Sequence, residues 1–383
     1  MSKNIYLENN IGPDYFNKSS YLSDKVKLNK FVNNISKSID YKKDVFNSLS
    51  KKFDFDFKYS NLAKFNKFKT IILIGMGGSI LGAKALYSFC NEKIKKNFIF
   101  FDNLEEIKIK DFLKMQNGKK TLLIIISKSG NTIETLVNLS LMKKFKFSKT
   151  NTIIITENKN SALKNFADKY KIPFIAHKSY LGGRYSVLSE VGMIPALFMN
   201  LNINLFKKNF FRCFKKDTII KNASKTAQIH LSRKINSLVL FNYCPELNEF
   251  AFWYQQLIGE SLGKNNKGLM PIVSTAPKDH HSLLQLYLDG PKDKFFYVLS
   301  SKVKKSPNIK KSLFGKNFNY LQNKRLNKIV LSQKKAFTTV LSRQNIPYRE
   351  IEINQFNEET LGELICSSIL ETVLIGKLMK VNP

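Results

Sequence analysis

Carboxylates are scarce in this chain. Aspartate and glutamate total 29 against 63 lysines and arginines, a formal net charge of +34 over 383 residues. Such an imbalance raises the question of an anionic partner, nucleic acid first among them. The lysines are dispersed, however, in pairs such as Lys95-Lys96, Lys143-Lys144 and Lys310-Lys311, and form no single basic stripe. Arginine, whose planar fork reads base edges and phosphates, is rare beside lysine. A bias of the whole composition accounts for the charge, so no nucleic-acid partner is expected. The surplus still helps to draw in an anionic metabolite.

Cysteine is also scarce. Cys90, Cys213, Cys244 and Cys366 lie far apart without C-x-x-C spacing, which favours buried thiols over disulfides or a metal site. Long apolar runs are missing, and Met1-Ser2-Lys3-Asn4 opens no signal segment, so a soluble, cytoplasmic protein with no membrane partner is expected. Low-complexity tracts are missing too. With 43% hydrophobic and 12% aromatic residues, 383 residues suffice for two ordinary domains.

What is present is alternation. Strand-like runs at 71–75, 98–102, 121–126, 152–156 and 173–176 are separated by helical stretches at 79–92, 105–116, 131–146 and 160–169. Strand–helix alternation predicts a parallel, doubly wound α/β sheet. An apolar helix near 186–200 and a lysine-rich connection at 207–222 follow. Strands near 236–242, 270–273, 295–300 and 348–353 then alternate with helices near 248–264, 280–288, 324–343 and 358–379. The polar opening, with a helical period from Ser23 to Phe53, reads as an arm. The expected organisation is an N-terminal helical arm at 1–50 and two α/β domains at 51–203 and 204–383.

Five clusters carry possible chemistry. The run Ile71-Ile72-Leu73-Ile74 empties into Gly75-Met76-Gly77-Gly78-Ser79. Ile80 breaks the dinucleotide fingerprint, and Gly82-Ala83-Lys84 breaks the P-loop spacing, leaving a tight turn or a ligand loop. The run Leu122 to Ile126 empties into Ser127-Lys128-Ser129-Gly130-Asn131-Thr132. Capping of the next helix explains Asn131 and Glu134, but not three hydroxyls crowded on one turn. Hydroxyls at a helix N-terminus suit a phosphate, and Lys128 adds a charge. Gly182-Gly183-Arg184-Tyr185-Ser186 offers an arginine on a flexible turn, to solvent or to an anionic intermediate; spacing leaves both open. On the helix from Glu246 to Lys264, Glu249, Gln256 and Glu260 share the face opposite an apolar stripe: an ordinary solvated face, or a placed base with a hydrogen-bonding neighbour. In Asp279-His280-His281-Ser282, adjacent rings diverge by about 100°, which disfavours a shared metal and leaves one histidine as an acid–base group. His177 and His230 read as structural.

Taken in order, these segments resemble the glucose-6-phosphate isomerase family in its shorter bacterial form. The resemblance rests on Gly75–Ser79, Ser127–Thr132, Leu181–Ser186, Gln255–Ser261 and Lys278–Gln285, and runs from about residue 70 to the end. It implies two sugar-isomerase (SIS) domains, a homodimer, and interconversion of glucose 6-phosphate and fructose 6-phosphate in glycolysis and gluconeogenesis, without metal or organic cofactor. By resemblance Glu260 moves the proton between C1 and C2 through a cis-enediolate, and His281, supplied from the neighbouring subunit, opens the ring. Arg184 stabilises the enediolate. Ser127, Ser129 and Thr132 hold the phosphate, with Gly78, Ser79, Lys128 and Gln256 around the sugar. The family carries a further motif, with a glutamine and a lysine, past the position of Pro383; Lys377 and Lys380 precede it and do not substitute. Either the sequence is cut short after Pro383 or the natural protein lacks the segment; in the second case ring opening is expected to suffer and the fold to survive. Two other readings are a bifunctional enzyme that also takes mannose 6-phosphate, against which Gln255-Gln256 leans, and a catalytically silent sugar-phosphate sensor.

Overall fold

A computed structural model of the chain describes residues 5–114, 121–142, 145–215, 217–302, 306–311 and 313–383. Met1 to Asn4, residue 216 and the expected helix residues 115–116 and 143–144 lie outside them. Among the described residues ten strands form two sheets: β1 (Ile5–Asn10), β2 (Thr70–Ile74), β3 (Asn97–Phe101), β4 (Thr121–Ile126), β5 (Thr152–Thr156), β6 (Phe174–Ala176), β7 (Ser237–Asn242), β8 (Met270–Thr275), β9 (Lys294–Ser301) and β10 (Tyr348–Ile353). The chain divides into two compact units, Lys37–Lys208 and Met1–Ser36 with Asn209–Pro383.

In the unit Lys37–Lys208 the strand order is β3-β2-β4-β5-β6, and every pairing is parallel. Ile71 to Ile74, Leu122 to Ile126 and Ile153 to Ile155 are all buried. Such runs of branched residues suit central strands covered on both faces. The strand order reverses between β2 and β4, and open sheets of this winding take ligands at the carboxyl ends beside that reversal. The two polar loops identified from sequence leave β2 and β4 at that place.

One lysine of this unit is buried with no hydrogen-bonding partner among the described residues. Lys207 is 4% exposed, and its Nζ lies 4.4 Å from the Phe53 ring centre and 4.5 Å from that of Phe55. Burial pulls its ammonium down from 10.5 to about 7, against the attraction of Glu190. Between these two values the unfolded chain holds a proton that the folded chain has released, so stability rises with pH across that window and the full penalty applies below it. The displacement corresponds to about 5 kcal/mol in full and about 4 kcal/mol at pH 7, and the two ring contacts offset about 1 kcal/mol each. Lys207→Met is therefore expected to raise unfolding free energy by about 2 kcal/mol at pH 7, shrinking to under about 1 kcal/mol at pH 10. Urea denaturation at the two pH values checks this.

The second unit repeats the winding. Its order is β1-β10-β9-β7-β8, so β8-β7-β9-β10 retraces β3-β2-β4-β5 with parallel pairing throughout. The fifth place is taken by β1, antiparallel to β10 from Ile5↔Ile353 to Asn10↔Tyr348. The sequence Ile5-Tyr6-Leu7-Glu8-Asn9-Asn10 has too few apolar residues to announce a strand, and the arm expected at 1–50 contains one. The helical period read from Ser23 to Phe53 corresponds instead to a helix over Lys18–Ser38, followed by a short 3-10 turn at Asn47–Leu49.

The lysine-rich connection expected at 207–222 is also corrected. It contains the helix Phe210–Phe214 and the start of a longer one, Asp217–Leu231, which buries Ile219, Ile220, Ala223, Ala227 and Ile229. Lysines at 215, 221 and 225 obscured this apolar face. Both helices pack on Glu358–Leu378, which is buried nearly all round. Arg349 of β10 and Glu371 of that central helix, each 2% exposed, form an ion pair there. The guanidinium also stacks 5.0 Å from the Tyr297 ring centre. All four cysteines are buried and none forms a disulfide among the described residues. Among the described residues no helix is long and apolar enough to cross a membrane.

Candidate active site

In the unit Lys37–Lys208, three loops meet at the carboxyl ends of β2 and β4. Gly78 is buried, and a Cβ built on it would lie 2.2 Å from the carbonyl carbon of Gly183 and 2.6 Å from the backbone nitrogen of Arg184. No other residue fits. The turn reading and the ligand-loop reading of Gly75–Ser79 thus coincide: glycine is needed for backbone contact, and that contact brings the Arg184 turn against the loop. Ser186 Oγ donates to Gly183 O at 2.6 Å and faces Gly78 O at 3.4 Å. Arg184 is half-buried in the 3-10 turn Gly183–Leu188, its guanidinium 4.8 Å from the Tyr185 ring centre. Ser79 is half-buried beside Gly78.

The turn after β4 forms a chain of hydroxyls. Ser127 Oγ lies 2.8 Å from Thr132 Oγ1, which lies 3.4 Å from Ser129 Oγ. Ser127 is 2% exposed and its Oγ accepts the Gly130 N–H at 3.1 Å, so its hydroxyl is occupied within the turn. Ser129 and Thr132 are the members open to a ligand. Gly130, at φ +71, packs where a Cβ would meet Ser161 Oγ at 2.2 Å. The following helix, Ile133–Leu141, has Thr132 as N-cap and no side-chain capping bond. The expected cap by Asn131 is absent because its Oδ1 accepts from Ala162 N at 2.9 Å, at the start of the next helix. The first-turn N–H groups of Ile133–Leu141 are thereby left for an anion.

Lys128 is more constrained than a free point charge. Its Nζ donates to Ser179 O at 2.9 Å and lies 3.5 Å from Glu157 Oε1. Burial opposes charge on Glu157, yet Lys159 and Lys128 hold its carboxyl below the usual range. Beside it, burial drives the His177 imidazole down to about 4; its Nδ1 meets Lys178 O at 3.0 Å. His230, in the other unit, is likewise pushed down to about 4 by burial.

In the unit with Asn209–Pro383, Glu260 is exposed near the end of the helix Asn248–Leu262. One turn earlier Gln256 Nε2 donates to Glu260 Oε1 at 2.7 Å, fixing the rotamer of the carboxylate. Gln255 Nε2 donates to Pro271 O at 2.8 Å, tying this end of the helix to the start of β8. His281 is exposed just beyond the other end of β8. Strand β8 has six residues, roughly 20 Å, so Glu260 and His281 of one unit flank opposite ends of a strand.

His280 and His281 are distinguished by their surroundings. His280 Nε2 is 2.7 Å from Tyr243 OH, and its ring packs 5.6 Å from Phe241. Burial, helped by His281, depresses its proton affinity. The sequence reading passed over Asp279, whose Oδ2 accepts from Ser274 Oγ at 2.8 Å and Thr275 N at 2.7 Å while Oδ1 accepts from Ser282 Oγ at 3.0 Å. Burial works against its charge, but these donors and Lys278 hold its carboxyl below the usual range. It staples the turn that presents His281. An acidic residue closing a turn with serines on either side was the available signal.

The family model for phosphoglucose isomerase matches residues 32–277. A glucose-6-phosphate isomerase of Methanocaldococcus jannaschii is 34% identical over 341 residues, covering 85% of this chain and 82% of the relative. Among solved structures, a hypothetical protein from Thermus thermophilus superposes at TM-score 0.85 with 23% identity, over 99% of this chain and 95% of that one. A glucose-6-phosphate isomerase from Chlamydia trachomatis superposes at 0.69 with 17% identity, over 95% of this chain and 70% of that one. These two share the α/β fold expected from the resemblance. With its glycine loop, hydroxyl turn, Arg184 turn and Glu260 helix inside the matched span, the chain belongs to the phosphoglucose isomerase family.

Proposed function

We propose that the chain interconverts glucose 6-phosphate and fructose 6-phosphate, as a cytoplasmic homodimer serving glycolysis and gluconeogenesis. The observation that carries the reading is the hydroxyl turn at an uncapped helix N-terminus, which leaves β4 beside the glycine loop of β2, itself packed on the Arg184 turn through the Gly78–Gly183 contact. Ser129, Thr132 and the first-turn N–H groups take the phosphate, with Ser127 keeping the turn in shape. Lys128, pinned by Glu157 and Ser179, together with Ser79 and Gly78, borders the sugar.

In this reading His281 assists ring opening and Glu260 shuttles the proton between C1 and C2. A hydrogen beside a carbonyl is a weak acid, so the carboxylate needs an electrostatic partner for the enediolate oxygen, and Arg184 is that partner. Gln256 orients Glu260 and borders the sugar. Glu260 and His281 sit at opposite ends of β8, which supports the view that one substrate meets Glu260 of one subunit and His281 of its partner.

The test couples fructose 6-phosphate turnover to a glucose-6-phosphate dehydrogenase; a parallel run with mannose 6-phosphate separates a bifunctional enzyme. No turnover with bound sugar phosphate would leave the sensor reading standing. Arg184→Ala is expected to lower kcat by about a hundredfold, the scale for loss of an oxyanion donor. The dissociation constant of a non-reacting sugar-phosphate analogue should stay within about threefold, since Arg184 acts on charge present only in the transition state. Lost affinity with retained kcat would overturn its role.

A further inference from the structure

Directly behind the Arg184 turn lies a carboxylate with no accessible surface. Glu190 begins the helix Glu190–Phe198, two residues after the 3-10 turn Gly183–Leu188 ends, and is 0% exposed. Its Oε1 accepts the Asp56 N–H at 2.9 Å and lies 3.5 Å from Lys178 Nζ. Its Oε2 has no hydrogen-bonding partner among the described residues. Lys207 faces the same cluster from beside the Phe53 and Phe55 rings, and Lys178 Nζ lies 5.8 Å from the Phe53 ring centre.

Asp56 belongs to a strap, 47–56, which meets the Arg184 turn at Tyr185 and the segment just before that turn at Ala176 and Tyr180. Ser48 Oγ faces Tyr185 O at 3.4 Å, and Tyr180 OH donates to Asn47 Oδ1 at 2.8 Å. Asp56 Oδ2 in return accepts the Ala176 N–H at 2.5 Å. Asn47 and Ser48 are themselves buried. A buried carboxylate is a poor way to gain stability, since an apolar side chain of similar volume usually does as well or better. What it provides is direction, because its hydrogen bond and ion pair fix two segments at one angle and distance.

We propose that Glu190 is a positioning residue for the reaction: it clamps the strap 47–56 onto the turn 183–188 and so holds the Arg184 guanidinium at the developing enediolate. The proposal rests on the role given to Arg184 above. Three readouts test it: kcat against KM in the coupled assay, amide hydrogen exchange at 183–188, and recovery by the near-isosteric amide. Glu190→Ala is expected to lower kcat at least tenfold with KM within threefold, and to speed exchange at 183–188 at least tenfold. Glu190→Gln, whose amide oxygen still accepts from Asp56 N–H, should retain a third or more of kcat. Normal kcat and normal exchange in Glu190→Ala overturn the proposal, and so does a glutamine variant as impaired as the alanine one. Should Glu190→Ala fail to fold, Lys178→Met reports instead, with faster exchange at 183–188 expected and unchanged exchange fatal. If Arg184→Ala leaves turnover intact, the role of Arg184 falls, while the exchange measurement still decides whether Glu190 clamps the turn.

Discussion

Exchanging Glu260 for glutamine is expected to lower kcat by about a thousandfold, within the range that a positioned acid–base group contributes. The change is isosteric. Its local structural cost includes the charge-assisted hydrogen bond from Gln256, on an exposed helix end. The thermal midpoint should therefore move by no more than about 2 °C, because surface changes of this kind stay within about 0.5 kcal/mol. What disappears is the ability to accept a proton. Binding of a sugar-phosphate analogue should persist, since the phosphate is held by Ser129, Thr132 and the N-terminus of Ile133–Leu141. A glutamine variant that keeps more than a tenth of the original turnover would remove Glu260 from the chemistry.

The second large effect concerns stability. Glu371→Ala is expected to lower unfolding free energy by about 3–5 kcal/mol, because it strands the Arg349 guanidinium inside the protein. The Glu371 carboxylate is what holds that guanidinium firmly protonated against its own burial. Tyr297 offers only a ring face and a hydroxyl 3.5 Å away, which cannot replace a carboxylate. Folded proteins are stable by about 5–15 kcal/mol, so this single change removes a large share of the margin. The double replacement Arg349→Met with Glu371→Leu should recover most of the loss, because neither charge is left behind. Urea denaturation of both single variants and the double one measures the coupling. Equal and additive losses would mean that the pair contributes nothing as a pair.

Much of the fold was legible because burial writes itself into local periodicity. The runs at 121–126 and 152–156 are observed as β4 and β5 with the expected bounds, since fully covered strands need unbroken branched residues. β1 was not legible. Its stability derives from pairing with β10, and a strand on a sheet edge can be half polar. The helix Asp217–Leu231 was masked by its lysines, which interrupt the run of buried isoleucines and alanines in the sequence. At the site, residue types such as Gly78, Ser127 and Arg184 could be picked out from the loops that follow strands. Their partners could not. That Gly78 meets Gly183, that Asn131 bonds to the start of a neighbouring helix, and that Glu190 reaches Asp56 are all facts of tertiary approach between distant positions.

The antiparallel pairing of β1 with β10 has a consequence for how the chain is made. The strand Ile5–Asn10 leaves the ribosome long before its partner, Tyr348–Ile353. Lys37–Lys208 is continuous and has every strand of its own sheet, so it can condense while the remainder is still being translated. Residues 5–10 must meanwhile wait, unpaired, until the tenth strand emerges. Closure of the second sheet is thus a late event in biosynthesis, and until then the nascent polypeptide carries one strand's worth of unprotected backbone.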